Sequence, residues 1–292
     1  MKHMSDTGRG ILSMIVAVSF FATMDAIAKT LSEAYDPLQV VWARYTFHTL
    51  IVFALFAPRL HVLLPTKRLK LQIIRSAFLF CATFSFFTAF SNIGLAQATA
   101  VFQVNPLLVT LLGILVLRER AGPRRIVGAG LGLFGALIII RPGADVFSPY
   151  AIIALFGALF YAAYGVSTRF LGREENPMTS LLYTTLFGTV AASFIVPAVW
   201  QPIALPDLAL MACLGAVGGI GQYFLIRAFT LAEAGAIAPF HYAGFIWAVG
   251  YGIFLFGEKP DALTFVGALV IVGSGLYVWH RERQAKTKSA TG

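Results

Sequence analysis

The chain has 292 residues, of which 58% are apolar and only 12% charged, against roughly 25% charged in a soluble domain. That composition excludes an ordinary water-soluble enzyme or regulatory domain and predicts an all-α membrane protein, because each apolar run must satisfy its own backbone within lipid. The net charge of +9 would suit nucleic acid only if the basic residues clustered in a soluble module; they are spread over short loops, so no nucleic-acid partner is expected.

Crossing hydrocarbon takes about 20 helical residues. Ten such stretches are predicted, near 10–31, 37–57, 70–92, 96–117, 122–141, 148–170, 177–199, 206–230, 235–257 and 261–280. The first is too long for a signal-peptide core and lacks a small-residue cleavage site, so it reads as a retained span; it carries Asp25 and Lys29. The second carries Trp42, Arg44 and Tyr45. The third holds Arg75, read as snorkelling to the membrane surface as is Arg227 in the eighth, and a stripe of Phe80, Phe84 and Phe87 at helical spacing. The fourth has Gln103 followed by Asn105-Pro106, and the sixth has Tyr161 and Tyr164. Tyr223 lies in the eighth, and the ninth combines Pro239, His241, Tyr242 and Trp247 with Gly250 and Gly252, which would ease bending. Gly128 with Gly132, and Gly215 with Gly219, have the spacing of close helix contacts. Cys81 and Cys213 sit inside apolar runs without metal-ligand spacing and read as small buried hydrophobes.

Boundaries fall at Asp36-Pro37, Gly122-Pro123, Arg141-Pro142-Gly143, Asn176-Pro177 and Lys259-Pro260, turn formers and helix starters. With the N-terminus inside, sixteen Lys and Arg residues fall on the inner side, and only Lys29, Arg141 and Lys259 on the outer. The excess of basic residues on cytoplasmic loops then puts both termini in the cytoplasm.

The chain also repeats itself. FFATMDAIAKTL (20–31) aligns with FYAAYGVSTRFL (160–171) at an offset of 140. Asp36-Pro37 matches Asn176-Pro177, ATAVFQ (98–103) matches AIAPFH (236–241), and Glu119 matches Glu258. Five spans per half is an odd number, so the second half enters the membrane from the opposite side. Inverted repeats of this kind surround midplane substrate sites in secondary transporters. The expected organisation is a first five-helix repeat over 1–142, an inverted second repeat over 143–281, a basic cytoplasmic tail over 282–292, and a central cavity between the repeats.

In this order the motifs resemble the two EamA repeats of the drug/metabolite transporter superfamily, from about Ile11 to Trp279. The features that carry the resemblance are the Ala-rich start of span four with Asn105-Pro106, LRERAGPRRIVGAGLGLFGALIII with Glu119, and its counterpart FGEKPDALTFVGALVIVGSGLYVW. Span nine departs from the pattern, with Gly244-Phe245 where span four has Asn105-Pro106 and its proline displaced to Pro239. The resemblance implies a bacterial inner-membrane carrier of small metabolites, often an amino-acid exporter.

Gln103 and His241, equivalent in the repeats, would lie on either side of the midplane and face one cavity, or each would bond a neighbouring helix for packing alone. His241 also admits a proton-coupling role. Asn105, Tyr242, Trp42, Tyr45, Phe84, Tyr161, Tyr164, Tyr223 and Trp247 are expected to supply the rest of the cavity, whose aromatic walls suit a large apolar or aromatic amino acid. Asp25 and Arg44 are the deepest charges. They could pair with each other, Asp25 could pair with Lys29 one turn away, or Arg44 could meet a substrate carboxylate. No phosphate loop for ATP drive and no H-E-x-x-H or paired membrane acids for an enzyme are found, and no cofactor or metal is expected. Multidrug, nucleotide-sugar or sulfonium transport are the rival substrate classes.

Overall fold

The structure, a computed structural model, describes residues 6–117, 123–141, 148–171, 175–232, 237 and 240–290. Among the described residues there are helices and turns but no strand. The helices are α1 (Asp6–Leu31), α2 (Pro37–Phe56), α3 (Leu69–Ile93), α4 (Leu95–Phe102), α5 (Asn105–Leu117), α6 (Pro123–Ile140), α7 (Pro149–Leu171), α8 (Pro177–Ile195), α9 (Leu205–Leu231), α10 (Ala243–Phe256) and α11 (Ala262–Ala290). Short turns of helix extend α2 through Leu63 and α8 through Val199. Six helical stretches are long and apolar enough to cross a membrane, and four shorter apolar ones lie at the positions of the fourth, fifth, ninth and tenth predicted spans. The chain is thus a ten-span helical bundle. Its outer surface carries fully apolar side chains such as Phe254 (87% exposed), Phe194 (83%) and Leu205 (81%), which lipid accommodates and water would not.

Helix starts follow local chemistry. Asp36 Oδ1 accepts from Leu38 N at 2.8 Å, and its repeat counterpart Asn176 Oδ1 accepts from Met178 N at 2.9 Å. In both cases proline occupies the first helical position, where a missing N–H costs nothing.

The fourth span is broken. Pro106 has no N–H to give the carbonyl one turn earlier, and the chain tightens around Gln103 and Val104, with Val104 N donating to Val101 O at 3.2 Å and Leu107 N to Val104 O at 3.0 Å. In the second half the turn falls at Tyr242, whose carbonyl accepts from Phe245 N at 3.1 Å. Val104 and Tyr242 are 138 residues apart, so both halves break at the equivalent position although only the first has Asn-Pro there. Pro239 and Glu119 lie outside the described residues.

Packing follows the twofold. The first helix of the first repeat, α1, lies along α9, the third of the second, and by the same rule α7 lies along α3. α2 meets α8 beside the axis, and α6 pairs with α11. The two repeats therefore interleave instead of standing as separate bundles. Small residues allow the close crossings: a Cβ on Gly135 would come 2.9 Å from Gly267 O, and one on Gly267 would come 2.7 Å from Gly135 O.

One end of the bundle is tied by polar contacts. The Lys29 ammonium at the end of α1 pairs with Glu258, the residue after the left-handed Gly257 that closes α10. Glu258 also caps α4, accepting from Leu95 N at 2.8 Å and Ala96 N at 3.0 Å. Gly94, with φ +88°, makes this possible, since a side chain there would strain the backbone and press on the Glu258 carboxylate at 3.1 Å. Tyr35 Oη donates to Asp207 Oδ2 at 2.8 Å, while Gln39 and the backbone of Gln201 exchange two bonds. Arg141 pairs with Asp261, and this hydrogen bond, with those from Thr264, holds the Asp261 carboxyl down to about 2.

Arg75 departs from expectation. It does not snorkel but is fully buried, because α7 and α8 close over it. Its guanidinium donates to Ser180 O and Thr184 Oγ1 at 2.5 Å and to Thr168 Oγ1 at 3.3 Å, and lies 5.1 Å from the Tyr164 ring centroid. Cys213 is likewise exposed on the apolar exterior instead of buried.

Candidate functional site

Where the two repeats meet, a cavity holds about 740 Å³ of space free of protein atoms, counting the space at its open mouth. α1 supplies Phe21, Met24 and Asp25; α2 supplies Arg44; α3 supplies Thr83, Phe86 and Phe87. The first broken span adds Thr99, Phe102 and Gln103. The second repeat contributes Tyr161 of α7, Gln222 of α9, His241, and Gly244 and Ala248 of α10. Two pairs of repeat equivalents thus face one space: Phe21 with Tyr161, and Gln103 with His241. The twofold explains this, since a residue near the axis in one half brings its counterpart to the opposite wall.

The helix breaks are part of the wall. Gln103 is 2% exposed, and its Nε2 donates to Tyr242 O at 3.4 Å, so it reaches the turn of the other repeat. The His241 ring lies 5.9 Å from that of Tyr161, which in turn lies 5.3 Å from Phe102 and 5.9 Å from Tyr164. The rings of His241, Tyr161, Phe102 and Phe86, the last 4.7 Å from Phe102, form a continuous aromatic wall, with Tyr164 behind it. Against it stand buried polar atoms without a hydrogen-bond partner among the described residues: Thr99 Oγ1, Gln222 Oε1 and His241 Nδ1.

The charges are held apart from one another. Arg44 is 4% exposed; it donates through Nη1 to Thr83 Oγ1 at 2.6 Å and through Nε to Met24 Sδ at 3.2 Å, and lies 4.8 Å from the Tyr45 ring centroid. Asp25 lines the same cavity, yet no ion pair joins the two among the described residues. Nor does Asp25 bridge to Lys29, which is committed to Glu258 at the end of α1.

Other expected lining residues lie elsewhere, each for a visible reason. Tyr242 turns its ring towards Gly275 on α11. Asn105 Nδ2 braces α5 to α7 by donating to Ala158 O at 2.9 Å. Trp42 bonds Ser193 and packs edge-on against Trp200 at 5.0 Å. Tyr45 lies behind Arg44, with its hydroxyl 3.2 Å from Thr83 Oγ1. Tyr164 Oη accepts from Gln222 Nε2 at 2.5 Å, one layer behind the wall. Tyr223 Oη is engaged by Arg227 at 3.2 Å. Phe84 and Trp247 face the apolar exterior, 39% and 47% exposed. Phe84 lies about 60° round the helix from Phe87 at 100° per residue, enough to pass the edge of the inward face. Thr83, Thr99 and Gln222 escape sequence reading, because single small polar residues in apolar runs carry no directional signal.

Ten spans in two inverted repeats, broken helices meeting at the junction and a mixed aromatic and polar cavity between them define a membrane transporter rather than an enzyme. Residues 8–141 and 148–279 each match the EamA-like transporter family, and the chain belongs to that family. It is 30% identical over 269 residues to the pseudopaline exporter of Pseudomonas aeruginosa, covering 90% of this chain and 93% of the relative. It is 24% identical over 286 residues to the S-adenosylmethionine uptake transporter of Rickettsia conorii, covering 98% and 96%, and 28% identical over 229 residues to the riboflavin transporter of Brucella anthropi, covering 75% and 79%. A crystal structure sharing 19% of its sequence superposes with a TM-score of 0.64 over 91% of this chain and 94% of that one, which speaks for the fold.

Proposed function

We propose that this chain is a secondary exporter or facilitator of amino acids and similar small metabolites, with large apolar or aromatic ones preferred. It works by alternating access at the cavity between its repeats, in the bacterial inner membrane with both termini cytoplasmic. The observation that carries this reading is that Gln103 and His241, at the helix breaks of opposite repeats, line one cavity. In a secondary transporter the breaks release backbone groups and side chains at the depth where substrate rests. Rings of Phe21, Phe86, Phe102 and Tyr161 offer faces for an apolar or aromatic side chain. Relatives handle pseudopaline, S-adenosylmethionine and riboflavin, all bulky organic metabolites. Transport of a sulfonium metabolite is the second reading, favoured by the Asp25 carboxylate in the wall.

Counterflow into proteoliposomes tests this. Exchange of labelled phenylalanine, methionine or threonine without exchange of ethidium is expected; exchange of S-adenosylmethionine alone would move the assignment to the second reading. Gln103→Ala and His241→Ala should each lower the exchange rate several-fold with the protein still inserted and monodisperse. Normal exchange in both variants would leave these side chains as helix braces.

A further inference from the structure

A buried cation and a buried anion that share a cavity should collapse into a pair, because each otherwise carries an uncompensated desolvation cost. In this cavity they do not. Arg44 is already oriented from behind: Thr83 takes one Nη1 proton, Met24 Sδ takes the Nε proton, and the Tyr45 ring lies against the guanidinium plane. A guanidinium has five N–H donors; Thr83, Met24 and the Tyr45 hydroxyl are its partners among the described residues, which leaves two donors for a ligand. Met24, bonded to Arg44 Nε, also fills the space against Gly218 of α9.

The cavity also carries acceptors. Gln222 donates one amide proton to Tyr164 Oη, and its buried Oε1 has no partner among the described residues. Gln222 follows Gly221, which contacts Phe21 across the α1–α9 crossing, and Asp25 lies one turn beyond Phe21 on the same helix. Asp25 and Gln222 line the cavity with oxygen acceptors, and Arg44 lines it with donors. The repeat alignment makes the asymmetry plain: at the offset of 140, Asp25 corresponds to Gly165 and Arg44 to Thr184.

We infer that Arg44 and Asp25 form a two-point charge clamp for a zwitterionic head group, Arg44 receiving the carboxylate and Asp25, with Gln222 Oε1, receiving the ammonium. This rests on the reading of the cavity as the substrate site and narrows its occupant to molecules that carry both charges, with the apolar remainder directed to the aromatic wall. A planar, always-charged fork suits a carboxylate. An acceptor-only carboxylate beside an amide oxygen suits an ammonium, and neither suits a singly charged ligand without leaving the other charge uncompensated.

The test uses purified full-length protein in nanodiscs, with thermal stabilisation as the binding readout, and phenylalanine, phenethylamine and 3-phenylpropionate as probes. In the wild type, phenylalanine should stabilise at concentrations roughly tenfold or more below those needed for either singly charged analogue, the difference expected for one charge-assisted contact. Asp25→Asn should remove the preference over 3-phenylpropionate while keeping that over phenethylamine. Arg44→Gln should do the reverse, and Arg44→Lys, which keeps the charge and loses the fork, covers the case in which Arg44→Gln does not fold. Equal stabilisation by all three probes in the wild type, or parallel loss of all three in both variants, overturns the clamp. Because binding is read apart from counterflow, amino-acid exchange with equal competition by the analogues would overturn the clamp and leave the transport reading standing. Selective zwitterion binding without exchange would do the opposite.

Discussion

Arg75 shows how little a residue's type says about its cost until its neighbours are known. The guanidinium is fully buried with no carboxylate partner among the described residues; a carbonyl, two hydroxyls and an aromatic face meet its two terminal nitrogens, while Nε has no hydrogen-bond partner among those residues. Those partners do not depend on it, since Thr184 Oγ1 donates to Ser180 O and Thr168 Oγ1 to Tyr164 O, both at 2.7 Å. Replacing Arg75 by an apolar residue of similar length therefore removes a desolvation cost without orphaning its neighbours, whereas lysine keeps the charge and loses the fork. Arg75→Lys should destabilise the protein by about 1–3 kcal/mol, and Arg75→Met by less, as read from melting in detergent. A larger loss for Arg75→Met would show that the charge itself has a function. Sequence reading places Arg75 near a span end and so at the surface; only the closure of α7 and α8 over it reverses that.

At the scale of the element, the informative feature is the capped start of α4. Half a broken span has few helical bonds of its own, and its free N-terminal N–H groups are partly buried, where unpaired donors are costly. Glu258 arrives from the other repeat to accept two of them and to pair with Lys29. One side chain thus joins α1, α4 and the end of α10. Glu258→Ala should cost about 2–4 kcal/mol, from two lost charge-assisted bonds and an unpaired lysine. Lys29→Met should cost less than Glu258→Ala, because the cap survives it, and equal losses would assign the whole effect to the ion pair. The matching positions of Glu119 and Glu258 are visible in the sequence, but what Glu258 holds is not, because its partners lie 160 or more residues away.

Across the whole molecule, the inverted repeat puts each helix of one half against a helix of the other, so the halves cannot separate without exposing their contacts. On the proposed function, rocking about the shared axis opens the cavity to each side in turn. On the proposed orientation, a green fluorescent protein fused after residue 292 should fluoresce and an alkaline phosphatase fused there should be inactive; the opposite pattern would invert the assignment of both faces. The ten spans, their boundaries at Asp36-Pro37 and Asn176-Pro177, and the pairing of Gln103 with His241 are all legible in the sequence, because hydropathy, capping chemistry and internal repetition are local or periodic signals.

What a residue faces is not legible in the same way. Tyr164, Trp42 and Trp247 have the chemistry of cavity walls, yet one lies behind the wall, one bonds Ser193 and one faces the exterior. In an apolar span the inward and lipid-facing sides have similar composition, so no amphipathic stripe reports direction. The sequence by itself determined that the chain crosses the membrane ten times as two opposed copies of one unit. Only the tertiary structure decided that Asp25 and Arg44 share a cavity without pairing, because that depends on Thr83, Met24 and Tyr45 holding the guanidinium from three different helices.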